Sequence, residues 1–119
     1  MKALVVTPGE PAGIGPDIVL MAACRGKLMD FPYYVVADSA LLKNRAEQLS
    51  LPVVLHTMEP EQSITVLPQN HLWVYHAPLK QPVLTGHPHS INAKYVLKTL
   101  EVATEACLKK QALGMVTGP

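Results

Sequence analysis

Charge is scarce in this 119-residue chain: Asp, Glu, Lys and Arg make up 16% of it, and the net charge is +1. So small a charge supplies no field to gather a polyanion, and Lys and Arg form no cluster interleaved with aromatic residues, so nucleic acid is not an expected partner. Cysteine occurs only at Cys24 and Cys107, far apart and without metal-type spacing. Both fall in helical patterns and read as buried thiols rather than as a disulfide. No apolar run approaches the ~20 residues of a membrane span. Lys2 is followed by only four apolar residues before a Pro-Gly loop, which is not a signal peptide. These absences direct the chain to the cytoplasm, away from membranes. Ser39, Ser63 and Ser90 lack the Gly-x-Ser-x-Gly elbow of a hydrolase nucleophile, and neither cysteine has a flanking base, so covalent catalysis has no support and no catalytic residue is assigned. No repeat or low-complexity segment occurs. What remains is a 49% hydrophobic sequence, long enough for one buried core and at most one domain.

The stretch Thr7-Pro8-Gly9-Glu10-Pro11-Ala12-Gly13-Ile14-Gly15-Pro16-Asp17 organises that domain. Ala3-Leu4-Val5-Val6 before it reads as a buried strand. A helix opens after it near Pro16-Asp17, where Pro suits the first helical position and Asp faces the positive end of the dipole. The loop therefore joins the C-terminal end of a strand to the start of a helix, the place where open α/β sheets bind ligands. Its glycines allow backbone N–H groups to approach a ligand closely. Glu10 is its only internal charge, which suits a hydroxyl- or amine-bearing ligand, or an anion at the helix start. Pro16-Asp17 stands where a P-loop requires Lys-Ser/Thr, and the third glycine of the dinucleotide fingerprint is absent. A tight strand-to-helix turn without a ligand is the competing reading.

Along the chain, Ile18 to Cys24 is apolar on most faces and reads as a largely buried helix. Gly26 caps it unless Lys27-Leu28-Met29 adds a turn, and Phe31-Pro32 ends the segment. Tyr33 to Ala37 favours a strand. Asp38-Ser39 offers N-caps for a helix from Ala40 to Leu49. Leu41, Leu42, Arg45, Ala46 and Leu49 form its apolar stripe, with Arg45 expected half solvated and its stem on the stripe. Leu51 to Leu55 reads as a third strand, and the alternation indicates parallel crossovers. From His56 to Leu84 prolines recur, and Ile64–Leu67 and Leu72–Tyr75 read as minor strands of an excursion. A loop from Ala77 to His87 leads to a long helix, about Ser90 to Lys110, with Ile91, Tyr95, Leu100, Ala103 and Cys107 on one face. Leu113 to Val116 reads as a central strand buried on both faces.

Other candidates for chemistry are few. His87 and His89 lie two residues apart, but no third ligand has a convincing spacing, and one of them suits a helix cap. His56, His71 and His76 fall in the irregular region and read as surface histidines. Asp38, at a strand end, could meet a ribose hydroxyl but reads first as an N-cap. Thr117-Gly118-Pro119 follows the last strand with its hydroxyl and N–H groups at the C-terminal edge of the sheet; it reads as a substrate contact or a plain turn.

Pro8 to Asp17 resembles the opening motif of the 4-hydroxythreonine-4-phosphate dehydrogenase family, within the isocitrate/isopropylmalate dehydrogenase-like superfamily. Ala37-Asp38 with Leu41-Leu42-x-Asn44-Arg45-Ala46, Tyr95-x-x-x-Thr99-Leu100 and Thr117-Gly118-Pro119 extend the resemblance over nearly the whole chain; it is weakest between Thr57 and Asn70. It implies an α/β three-layer sandwich with a mainly parallel sheet, in which residues 1–119 are the amino-terminal part of a two-domain homodimeric enzyme. The implied reaction oxidises 4-phosphonooxy-threonine, a small phosphorylated amino acid, with NAD or NADP and a divalent metal (Zn, Mg or Co). The 3-oxo acid then loses carbon dioxide to give an amino-oxopropyl phosphate for pyridoxal phosphate synthesis. Glu10, Gly13 and Ile14 are expected on the cofactor side of the interdomain cleft, and Thr117 and Gly118 near the substrate. The metal ligands are expected beyond Pro119, and the 119 residues alone are expected to be inactive. Two other readings remain: a non-catalytic α/β remnant or binding module, and a related dehydrogenase acting on another hydroxy acid or a cis-diol.

Overall fold

The computed structural model describes residues 2–26, 32–59 and 61–119. Five strands form one parallel sheet in the order β3-β4-β2-β1-β5: β1 is Ala3–Thr7, β2 Tyr33–Ala37, β3 Val54–Thr57, β4 His71–His76 and β5 Ala112–Thr117. The helices are α1 (Gly15–Arg25), α2 (Ser39–Gln48) and α3 (Ala93–Leu108), the last preceded by a short 3-10 turn, Ser90–Asn92. Pleating divides the apolar residues between two cores. Val35, Ala37, Leu72 and Val74 pack with Val19, Leu20 and Ala23 of α1 and Leu42 and Ala46 of α2. Val5, Tyr34 and Val36 pack on the other face with Tyr95, Ala103 and Ala106 of α3. Helices on both faces of a parallel sheet make the expected α/β three-layer sandwich. Among the described residues no helix is long and apolar enough to cross a membrane.

Several elements match their sequence readings. β2 runs from Tyr33 to Ala37, Pro16 lies in the first turn of α1, and Gly26 caps α1 with φ +92°. The alternative extension through Lys27-Leu28-Met29, and Phe31, fall outside the described residues. Asp38 is the N-cap of α2, its carboxylate accepting from Leu41 N at 3.1 Å. Cys24 and Cys107 are free thiols, as expected, but half-buried rather than buried.

Other expectations are corrected. α1 is not buried all round: Ile18 and Met21 are 53% and 48% exposed, because the sheet covers only the face of Val19, Leu20 and Ala23. The third strand begins at Val54, since Leu51 N still bonds Ala46 O and ends the preceding helix. Ile64–Leu67 is not a strand, whereas His71–His76 is an inner strand bonded to β2 and β3. His56 and His71 accordingly sit on neighbouring strands, their rings bonded at 2.7 Å, rather than in irregular chain. α3 buries Tyr95 and Ala103 as expected, but Thr99 and Ala106 take the buried places expected for Leu100 and Cys107, and Ile91 is 39% exposed. β5 pairs only with β1 and has a register shift at its start; Leu113 and Val116 are 59% and 49% exposed. It is thus an edge strand among the described residues, not a central one.

Candidate functional site

β1 is bonded on one side to β2, reached through α1, and on the other to β5, reached through α3. The crossover out of β1 runs to one side of it and the crossover from β4 through α3 returns to its other side, so the crevice beyond its C-terminal end is the switch point at which open α/β sheets take ligands. The loop after β1 and the turn after β5 meet there. Glu10 N donates to Pro119 O at 3.1 Å, and Gly118 N donates to Thr7 O at 2.7 Å. The structure thus brings Glu10, Thr117 and Gly118 together.

The loop can be this compact because of where its glycines fall. Gly9 has φ +86°, and a Cβ there would stand 2.0 Å from Pro119 O. A Cβ on Gly15 would stand 1.7 Å from Pro8 O, so the start of α1 folds directly over the loop. Gly13 is less crowded: the nearest atoms to a Cβ there belong to Glu10, the closest its carbonyl oxygen at 3.3 Å, a tight contact. Its lack of a side chain is what close approach of a ligand to the loop needs. Ile14, the residue before α1, is 61% exposed. Glu10 turns inward on its own loop, its Oε1 accepting from Ala12 N at 3.1 Å and its carbonyl from Gly13 N at 3.0 Å.

Arg45 corrects the sequence reading most sharply. Expected half solvated, it is 2% exposed. Its Nη1 donates to Gly13 O at 3.0 Å and to Asp17 Oδ1 at 2.7 Å, and its Nη2 donates to Pro11 O at 2.8 Å. The apolar stripe of α2 faces α1, and the one charge on that stripe meets the loop carbonyls and the acid of the first turn of α1. A signal for this existed in the sequence: an unpaired Arg on the buried face of one helix and an Asp at the start of its neighbour. A further segment, which no local pattern associates with the site, also joins the loop. Gly86 N donates to Ala12 O at 2.8 Å, and Thr85 Oγ1 donates to Gln48 Oε1 at 3.1 Å.

The remaining candidates resolve into structural roles. Asp38 uses both carboxylate oxygens on backbone, Oδ1 on Leu41 N and Oδ2 on Leu79 N at 2.7 Å, which favours the cap over a ribose contact. Its own N–H donates to Tyr95 Oη at 2.9 Å, and burial pushes the Tyr95 phenol up to about 12. His89 Nδ1 accepts from Ile91 N at 3.1 Å and caps the turn before α3, while His87 is exposed. Thr7 Oγ1 is buried at the end of β1 without a hydrogen-bond partner among the described residues. Among the described residues no three His, Cys, Asp or Glu side chains are grouped to hold a metal ion, so a divalent metal finds no fitting donor set in this part of the fold.

Comparison with known proteins agrees with this architecture. Residues 30–119 match the model of the family described as pyridoxal phosphate biosynthetic protein PdxA. The chain is 43% identical over 116 residues to a 4-hydroxythreonine-4-phosphate dehydrogenase of Saccharophagus degradans, covering 98% of this chain and 34% of that protein. It is 42% identical over 118 residues to the protein of the same name from Sodalis glossinidius, covering 99% and 35%. The chain thus spans about a third of the length of the curated relatives it matches. The crystal structure of the Klebsiella pneumoniae 4-hydroxythreonine-4-phosphate dehydrogenase superposes with a TM-score of 0.88 at 25% identity, over all of this chain and 37% of that one. The Burkholderia phymatum enzyme of the same name gives a TM-score of 0.86 at 14% identity, a likeness of fold.

Proposed function

The chain belongs to the family of the pyridoxal phosphate biosynthetic protein PdxA, and from that premise we propose that it forms the loop-bearing α/β part of an enzyme that oxidises 4-phosphonooxy-threonine. The observation that supports this reading is the convergence of the two loops beyond β1 and β5, tied by Glu10 N to Pro119 O and Gly118 N to Thr7 O. NAD or NADP would accept a hydride from the alcohol carbon of the substrate, and a divalent metal would polarise the oxygen on that carbon. Glu10, Gly13 and Ile14 serve the cofactor side of the cleft, Gly13 through its lack of a side chain and Ile14 through its exposed side chain. Thr117 and Gly118 serve the phosphorylated substrate. The metal ligands lie in other parts of the enzyme, and the 119 residues by themselves do not turn over. The working enzyme is a cytoplasmic homodimer whose product feeds pyridoxal phosphate synthesis.

The test is titration calorimetry of NAD and NADP on the whole enzyme, with and without Gly13→Val. The substitution should weaken cofactor binding by about tenfold, a loss near 1.4 kcal/mol, while circular dichroism stays unchanged. Equal affinity in the two proteins would sink the loop assignment. Turnover by the purified 119-residue chain would refute the proposed division of labour.

A further inference from the structure

We propose that Arg45 is the positioning residue of the opening loop, setting the backbone shape in which Glu10, Gly13 and Ile14 meet the cofactor. The inference rests on the reading of that loop as a cofactor contact, but its geometry stands apart from that reading.

Three consecutive loop carbonyls are each held from outside the loop. Those of Pro11 and Gly13 accept from the two arms of the Arg45 guanidinium, at 2.8 and 3.0 Å. That of Ala12, between them, accepts from Gly86 N at 2.8 Å. Peptide planes are rigid, so fixing these carbonyls also fixes the direction of the N–H groups that follow them. Asp17 completes the arrangement: its carboxylate meets the same Nη1 at 2.7 Å and matches the charge of a guanidinium that is 2% exposed. The clamp thus joins α2, the loop and the first turn of α1 through one planar group. The opening loop carries no comparable cation of its own, since Glu10 is its only charged residue.

The chemistry requires arginine. A planar fork offers several donors in fixed directions, whereas a lysine ammonium is a compact point charge on a flexible stem. Lysine at this position keeps the charge opposite Asp17 but cannot hold the Pro11 and Gly13 carbonyls at once in the same geometry. Because Arg45 acts through the loop, its loss should alter cofactor affinity and loop order more than the chemical step.

The experiment compares Arg45→Lys and Asp17→Asn with the unaltered whole enzyme by hydrogen exchange and steady-state kinetics. With Arg45→Lys, the amides of Ala12, Gly13 and Gly86 should exchange about tenfold faster, while those of Val5, Val35 and Val74 keep their protection. The KM for NAD or NADP should rise by about tenfold, with kcat at saturating cofactor held within about threefold. Asp17→Asn keeps an acceptor for the fork and should give a smaller change in the same direction. Unchanged exchange at the loop amides would overturn the proposal, and so would equal loss of protection in loop and strands, which marks a merely structural role. Faster loop exchange with unaltered cofactor affinity would leave the clamp standing and refute the cofactor reading of the loop.

Discussion

Glu10 and Pro119 lie near opposite ends of the sequence, yet the backbone N–H of one donates to the carbonyl of the other at 3.1 Å. Gly9 makes the approach possible, since a Cβ there would stand 2.0 Å from Pro119 O at a φ of +86°. Gly9→Ala should therefore lower stability by about 1–3 kcal/mol, the range for a strained backbone position, and separate the loop from the turn. Gly114→Ala is the control: its Cβ would meet only Leu4 Cδ2, at 3.8 Å. Thermal unfolding at low protein concentration reads both. Equal melting temperatures for the two variants would show that the loop and turn do not depend on this contact.

Tyr95 couples α3 to the start of α2, because its hydroxyl accepts from Asp38 N at 2.9 Å. Burial is the main cause that raises its pKa from 10.0 to about 12, and the Asp38 charge adds to it, while the bond from Asp38 N opposes it. A raised pKa means that the folded state keeps a proton the unfolded chain releases. That stability is fully present below pH 10 and is lost as pH rises from about 10 to 12, by roughly 2–3 kcal/mol. Tyr95→Phe should remove most of this alkaline loss. It should also cost about 1–3 kcal/mol at neutral pH by leaving a buried N–H unpaired. Denaturant titrations at pH 7 and pH 11 check both effects; parallel pH profiles for the two proteins would refute the account. Tyr33 and Tyr34, raised by burial as well, supply the residual slope.

Thr7 presents the opposite case, a buried hydroxyl at the end of β1 with no partner among the described residues. Valine has the same shape without the polar atom. Removing an unsatisfied group avoids its desolvation cost, so Thr7→Val should stabilise the fold by about 1 kcal/mol. The melting temperature would rise by a few degrees. A fall instead would mean that the hydroxyl has a partner, such as a buried water.

The parts of the fold set by local chemistry were legible in the sequence. β-branched and aromatic residues from Tyr33 to Ala37 gave β2, and Asp38 gave the cap of α2, because both depend on neighbours in sequence. The burial of Arg45 is not a local property, because its partners, Pro11, Gly13 and Asp17, belong to a different βα unit. The prolines around residues 71–76 disguise an inner strand, although they lie outside the strand itself. The candidate loop was recognisable from its glycines and its place between strand and helix. Its contact with Gly86, and the mutual approach of Glu10 and Pro119, are products of the tertiary fold that no local pattern announces.

β5 carries the last prediction. It bonds β1 on one side, and among the described residues no strand bonds its other side. Leu113 and Val116 are 59% and 49% exposed along it. An edge of this kind is a template for pairing with another chain unless charge, proline or a covering segment blunts it. The register shift between its first residues and β1 twists only the beginning, and Met115 to Thr117 remain in regular pairing. The 119-residue chain by itself should therefore self-associate as its concentration rises, through β5 rather than through the loops. Val116→Lys places a charge on the exposed edge and should shift that association to higher concentration while changing the unfolding free energy by no more than about 0.5 kcal/mol. Leu113→Lys should act in the same direction. Sedimentation velocity over a concentration series decides the matter. A chain that stays a 12.9 kDa monomer throughout, with a cooperative melt, would show that this edge is already protected.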